Sequence, residues 1–179
     1  MKNEEQNQEV TEEEIAQGLS GIGEPSEHEE AETSEDPAFV AAKEDFNDFL
    51  AARRTKKKTI EANEDVVKLL AEAIVEKDLV VTRDESGNVT GLKQVLRFGI
   101  DKKNQDGEKT GSIDDLQYSV RLPTYLVQEH LKGVKQDDQV GRIVAHVAAA
   151  TGQPKAIIRK IENTDYTIAS LISVFFIQP

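Results

Sequence analysis

An α+β fold is predicted, in which a small antiparallel β-sheet of about three strands packs with C-terminal helices and is preceded by two helices and a disordered acidic N-terminal tail. Three observations carry this prediction. Charge is segregated: residues 1–37 hold 13 acidic residues against one lysine while residues 38–179 hold 21 of each sign, so the net charge of −12 lies in the first part of the 179-residue chain. Leu116, Tyr118, Val120 and Leu122 alternate with Gln117, Ser119 and Arg121, the period-two pattern of a strand with one face on a core. From Thr124 onward the apolar residues recur at three- and four-residue spacing, the period of helices.

The tail has too few apolar residues to offset the entropy of ordering it. Its one apolar island, Ile15 to Ile22, is punctuated by Gly18, Gly21 and Gly23, which suits a transient helix or a short docking motif. More simply, the tail is a solubilising polyanion. With no cysteine in the sequence, disulfides, a thiolate nucleophile and cysteine-based metal sites are excluded. No basic stretch followed by an apolar run opens the sequence, and Ile168 to Ile177 is broken by Ser170 and Ser173, well short of the ~20 residues that span a bilayer. A soluble, cytoplasmic protein is expected.

Pro37 ends the tail. The segment from Ala38 to about Lys58 places Phe39, Val40, Phe46, Phe49 and Leu50 on one helical face and closes with Arg53, Arg54, Lys56, Lys57 and Lys58, cations that the negative end of the helix dipole favours. Asn63 stands as N-cap to a second helix over Glu64 to Lys77, with Val66, Val67, Leu69, Leu70, Ala73 and Ile74 as its apolar face. A switch to β-branched residues in Leu79-Val80-Val81-Thr82, at Val80, Val81 and Thr82, turn residues at Asp84-Glu85-Ser86-Gly87-Asn88 and extended patterning from Val89 to Phe98 make a β-hairpin. The polar stretch Asp101 to Ser112, with Gly107 and Gly111, reads as a loop between strands. A strand over Leu116 to Leu122 follows and ends at Pro123.

The remainder is helical. Thr124 caps a helix from Tyr125 to Leu131 that Gly133 closes. Gln139 to Thr151 carries Val140, Ile143, Val144, Val147 and Ala148 on one face and stops at Gly152. Pro154 starts a short helix containing Ile157, Ile158 and Ile161, and Asn163 or Thr164 caps a last helix rich in Ile168, Leu171, Ile172, Phe175 and Phe176. The protein thus divides into a tail (1–37), a helical N-terminal extension (38–77) and an α+β domain (78–179).

Catalytic chemistry needs a convergent nucleophile, base and orienting group, or a metal cage. His28, His130 and His146 fall in the tail, near a helix end and inside a helix, at no ligand spacing, and His146 is expected to be a partly buried helix residue. The glycines of the tail precede no strand and no Lys-Ser/Thr pair, so they form no phosphate loop. Asp101 to Ser112 places Lys103 and Gln105 where a calcium loop needs oxygen ligands, and Asp114 and Asp115 suit a turn or solvent better than acid–base work. The cluster from Arg53 to Lys58 suits phosphate contact, though lying in solvent or pairing with the protein's own acidic tail is the plainer role. A non-enzymatic protein with no cofactor and no metal is expected.

With the elements placed, Tyr118-Ser119-Val120-Arg121-Leu122-Pro123-Thr124 resembles the strand that leads into a helix in the tail assembly chaperones of long-tailed bacteriophages. Thr151-Gly152-Gln153-Pro154, the apolar Ile157 and Ile161, Asp165-Tyr166 and the closing Val174-Phe175-Phe176 are similar to the later helices of that family. The resemblance covers roughly residues 90–177, and the same region is similar to the baseplate hub assembly proteins of contractile phages. Family members are often shorter, so the acidic tail and the two added helices are departures from the pattern.

The resemblance implies a chaperone-like domain that binds and solubilises the tape measure protein in the host cytoplasm and is absent from the finished particle. The candidate partner-binding residues are Leu122, Pro123, Tyr125, Tyr166, Ile172, Phe175 and Phe176. Two alternatives stand beside it. One is a structural virion component of the baseplate or tail-completion type; the other is a nucleic-acid-associated regulator resting on Arg53 to Lys58. No membrane partner is expected, and self-association stays open.

Overall fold

The computed structural model describes residues 36–177; residues 1–35 of the acidic tail, with its apolar island and His28, lie outside the described residues, and the tail expected to reach Pro37 stops short of it, since Asp36 caps the first helix and Pro37 opens it. Among the described residues, seven helices and three strands follow in the order α1 (Pro37–Ala52), α2 (Lys57–Glu61), α3 (Glu64–Val75), β1 (Leu79–Arg83), β2 (Val89–Lys103), β3 (Lys109–Ser119), α4 (Thr124–Leu131), α5 (Gln139–Thr151), α6 (Lys155–Ile158) and α7 (Asn163–Ile177). The strands form one antiparallel sheet in the order β1-β2-β3, two consecutive hairpins. The fold is α+β, as the sequence predicts.

Both hairpins turn by the same device. Asp84 Oδ1 accepts hydrogen bonds from the backbone N–H of Ser86 and Asn88, and Asn104 Oδ1 accepts from that of Glu108, with Gly87 and Gly107 both at φ +83°. A short polar side group that folds back on its own backbone, followed by a glycine that tolerates positive φ, closes each turn. The second hairpin corrects the expected loop over Asp101 to Ser112: Asp101 pairs with Ser112 and Lys102 with Gly111 in the ladder. Apolar alternation is missing there, so periodicity cannot reveal these strand ends.

Two other boundaries differ. The single helix expected from Ala38 to about Lys58 breaks after Ala52, because Arg54 adopts φ +61° and the helix restarts at Lys57. The ladder of β3 ends at Ser119, and Val120 to Pro123 run outside it, with Pro123 preceding α4. Thr124 is the first residue of that helix and does not cap it; Asn63 precedes α3 without a capping bond and instead donates through Nδ2 to Thr59 O at 2.7 Å. Glu162, not Asn163 or Thr164, supplies the first-turn acceptor of α7, its Oε2 taking the Thr164 N–H at 2.7 Å. Gly152 stops α5 at φ +67°, where a left-handed residue is wanted.

One hydrophobic core joins the sheet to the helices on either side of it in sequence. Phe46, Phe49 and Leu50 of α1 and Val67 and Leu70 of α3 join Leu92, Leu116 and Tyr118 of the sheet, Val144 and Val147 of α5, and Ile172 and Phe175 of α7. Phe46 meets Phe175 edge to face with centroids 5.7 Å apart. The boundary expected at 77/78 therefore divides nothing in the packing, and the described residues fall within one compact unit. A three-stranded sheet exposes more apolar face than the C-terminal helices cover, and α1 and α3 complete the burial.

A buried polar relay fixes α7 on the sheet. Tyr118 donates to Gln94 Oε1 at 2.8 Å, and Gln94 Nε2 donates to Asp165 O at 2.7 Å. The ladder between β2 and β3 is irregular between Val95 and Ile100, which leaves the Arg97 N–H unpaired by a strand; the fully buried Asp165 carboxylate accepts it at 3.0 Å. An unsatisfied amide there costs about 1–3 kcal/mol, so the Asp-Tyr step that opens α7 is tied to the sheet irregularity.

Candidate partner-binding site

The seven sequence-derived candidates separate into two groups. Ile172, Phe175 and Phe176 are 0%, 1% and 8% exposed and belong to the core. This corrects their assignment as partner-binding residues: α1 covers that face of α7, so the apolar surface is already satisfied within the protein. Leu122 is half-buried, Pro123 is exposed and Tyr125 is 65% exposed, and these three stand together where β3 passes into α4. Tyr166 is half-buried at the start of α7, its hydroxyl without a hydrogen-bond partner; burial, and secondarily the charge of Asp138, raise its pKa.

Helix α4 is the loosest element of this region, with no fully buried side group. It lies against α5, and Lys155 holds its end by donating to His130 O at 2.9 Å. Asp138 caps α5 through the Gly141 N–H at 2.8 Å, and a methyl group at Gly141 would collide with that carboxylate. Around these two helices Tyr125, Val140 and Ile177 expose 65%, 63% and 38% of their surface. Val80, Val95 and Phe98 are also exposed on the sheet, but no unpartnered buried polar atom accompanies them among the described residues.

Two concavities open around the passage from β3 to α4. One, of about 280 Å³, is lined by Arg53, Leu122, Thr124, Val127, His146, Phe176 and Ile177. The other, of about 600 Å³, is lined by Ala52, Arg53, Arg54, Val120, Arg121 and Leu122, so the two share Arg53 and Leu122. The first is mainly apolar; the second carries three arginines.

Arg53 forms the wall between them. Its guanidinium lies 3.5 Å from the ring centroid of Phe176 and donates to Val120 O at 3.2 Å, Ser119 O at 3.4 Å and Phe175 O at 3.4 Å. One residue thereby joins the end of α1, the exit of β3 and the end of α7. Burial pushes its pKa down to about 10, which leaves it cationic at neutral pH, and Nε has no partner. From sequence Arg53 belongs to a solvated basic cluster, yet it falls seven residues after Phe46, on the buried stripe of α1. That spacing was the available signal.

His146 is 4% exposed, and neither ring nitrogen has a hydrogen-bond partner among the described residues. Desolvation, followed by the charge of Arg142, lowers its pKa, so the ring is neutral around pH 7. Three of the four unpartnered buried polar atoms of side groups among the described residues, Arg53 Nε and both His146 nitrogens, thus belong to residues lining the smaller pocket. No group of three or more metal-binding residues occurs among the described residues, and no described helix is long and apolar enough to cross a membrane.

Compared with known proteins, the sequence and fold match no family model, no curated protein and no solved structure.

Proposed function

We propose that this protein is a non-enzymatic assembly factor of the phage tail assembly chaperone type, which binds the tape measure protein in the host cytoplasm and keeps it soluble until the tail forms. The observation that carries the proposal is the uncovered apolar surface around α4, where Tyr125, Val140 and Ile177 stand exposed next to a helix that buries none of its residues fully. Apolar surface of this kind marks sites where another protein binds, and an amphipathic helix is the partner it fits best. Leu122 and Thr124, from the segment Tyr118 to Thr124 that carries the family resemblance, line a pocket together with the exposed Ile177.

The net charge of −12 supports a solubilising role, since a chaperone with an aggregation-prone client gains from charge repulsion between complexes. Quantitative mass spectrometry of infected-cell lysate and of purified particles tests the proposal. The protein is expected in the lysate and absent from the particle. A fixed stoichiometric copy number in the particle would assign it to the virion structure instead.

A further inference from the structure

Helix α1 ends in a motif where glycine is the usual residue. Arg53 closes the helix, Arg54 follows at φ +61°, its N–H bonds to Ala51 O at 2.8 Å, and the Thr55 N–H bonds to Leu50 O at 2.9 Å. A left-handed conformation costs an L-residue roughly 1–2 kcal/mol, and glycine escapes the steric penalty. Arg54 lines the larger hollow beside Arg121, and the guanidinium of neither has a hydrogen bond or ion pair among the described residues. Arg53, by contrast, is committed to three carbonyls and the Phe176 ring. Among the described residues, the hollow therefore presents two cations without a hydrogen bond or ion pair, beside an apolar pocket that the buried His146 also lines.

We propose that the hollow and the pocket form one composite site for an acidic peptide segment with an apolar anchor: a carboxylate meets Arg54 and Arg121, and the anchor residue enters the pocket lined by Leu122, Val127 and Phe176. Charge complementarity selects a carboxylate-bearing segment, and the contiguous apolar pocket argues against a nucleic-acid backbone, which offers phosphates without an apolar anchor. The proposal rests on the protein being a partner-binding one and not on which partner it holds.

The test pans a random-peptide library displayed on yeast against the full-length protein, then measures affinity of the enriched peptides for the parent and for Arg54→Gly, Arg121→Ser and Lys77→Gly variants. Lys77 sits at φ +67° after α3, so Lys77→Gly is the control for relief of backbone strain away from the site. Enriched peptides are expected to carry Asp or Glu within a few residues of Leu, Ile or Phe. Arg54→Gly and Arg121→Ser are expected to weaken their binding about tenfold, as loss of one charge-assisted contact does, while Lys77→Gly leaves it unchanged. Arg54→Gly is also expected to melt higher than the parent, which separates lost binding from lost folding. Basic or patternless peptides, no enrichment, or equal affinity for Arg54→Gly would overturn the site. If the tape measure protein is held through Tyr125 and Val140 while no acidic peptide binds, the site falls and the proposed function stands.

Discussion

At the scale of single residues, Arg53 and His146 show how polar groups inside an apolar region set stability. Arg53 offsets its desolvation with three carbonyl bonds and a cation–π contact. Arg53→Ala is expected to destabilise the fold by ~2 kcal/mol, the scale of hydrogen bonds from a charged donor, and Arg53→Lys is expected to restore little, because a point charge cannot span the carbonyls of Ser119, Val120 and Phe175. Urea unfolding of the two variants measures both. For His146 the sign follows from its lowered pKa. Below pH ~6.5 the unfolded state protonates this ring while the folded state does not, so stability is fully present above that pH and falls as pH drops through the ordinary value toward the lowered one. Unfolding curves at pH 7.5 and 5.5 are expected to show this loss, and His146→Leu to remove its share of it.

At the scale of elements, the link between the sheet and α7 is a polar relay and not only apolar packing. Gln94→Leu leaves the Tyr118 hydroxyl without a partner and removes the bond to Asp165 O, and Tyr118→Phe leaves Gln94 Oε1 without one. Each is expected to cost ~1–3 kcal/mol, and the double variant to cost less than the sum, because the second substitution removes a group the first had already orphaned. A double-mutant cycle by thermal unfolding gives the coupling directly. These elements also show what the sequence made legible. Helical periodicity located α3, α5 and α7 within a few residues, and alternation located the half of β3 that faces the core. The far halves of β2 and β3 carry Asp101, Lys102, Lys109 and Thr110, with no buried face to imprint a pattern. The break after α1 was hidden because an arginine occupies a position where glycine would have announced it.

At the scale of the whole molecule, the helices before the sheet are part of the same core and not an appendage, since Phe46, Phe49 and Leu50 close over the aromatic end of α7. That closure decides which apolar residues remain for a partner. A sequence shows that Phe175 and Phe176 are apolar and near a helix end; it does not show that a helix more than a hundred residues earlier covers them. Leu122, Pro123 and Tyr125 stay accessible because the backbone leaves the sheet there and α4 rests on α5 without a cover of its own.

The proposed hold of the surface around α4 on the tape measure protein is tested most directly by co-expression of the two proteins, reading the soluble fraction of the client. The parent protein is expected to keep the client soluble and to co-purify with it. A Tyr125→Ser/Val140→Ser variant, altered only at residues more than 60% exposed, is expected to fold normally and lose most of that effect. A client that stays insoluble with the parent protein, or equally soluble with the folded variant, would contradict the claim.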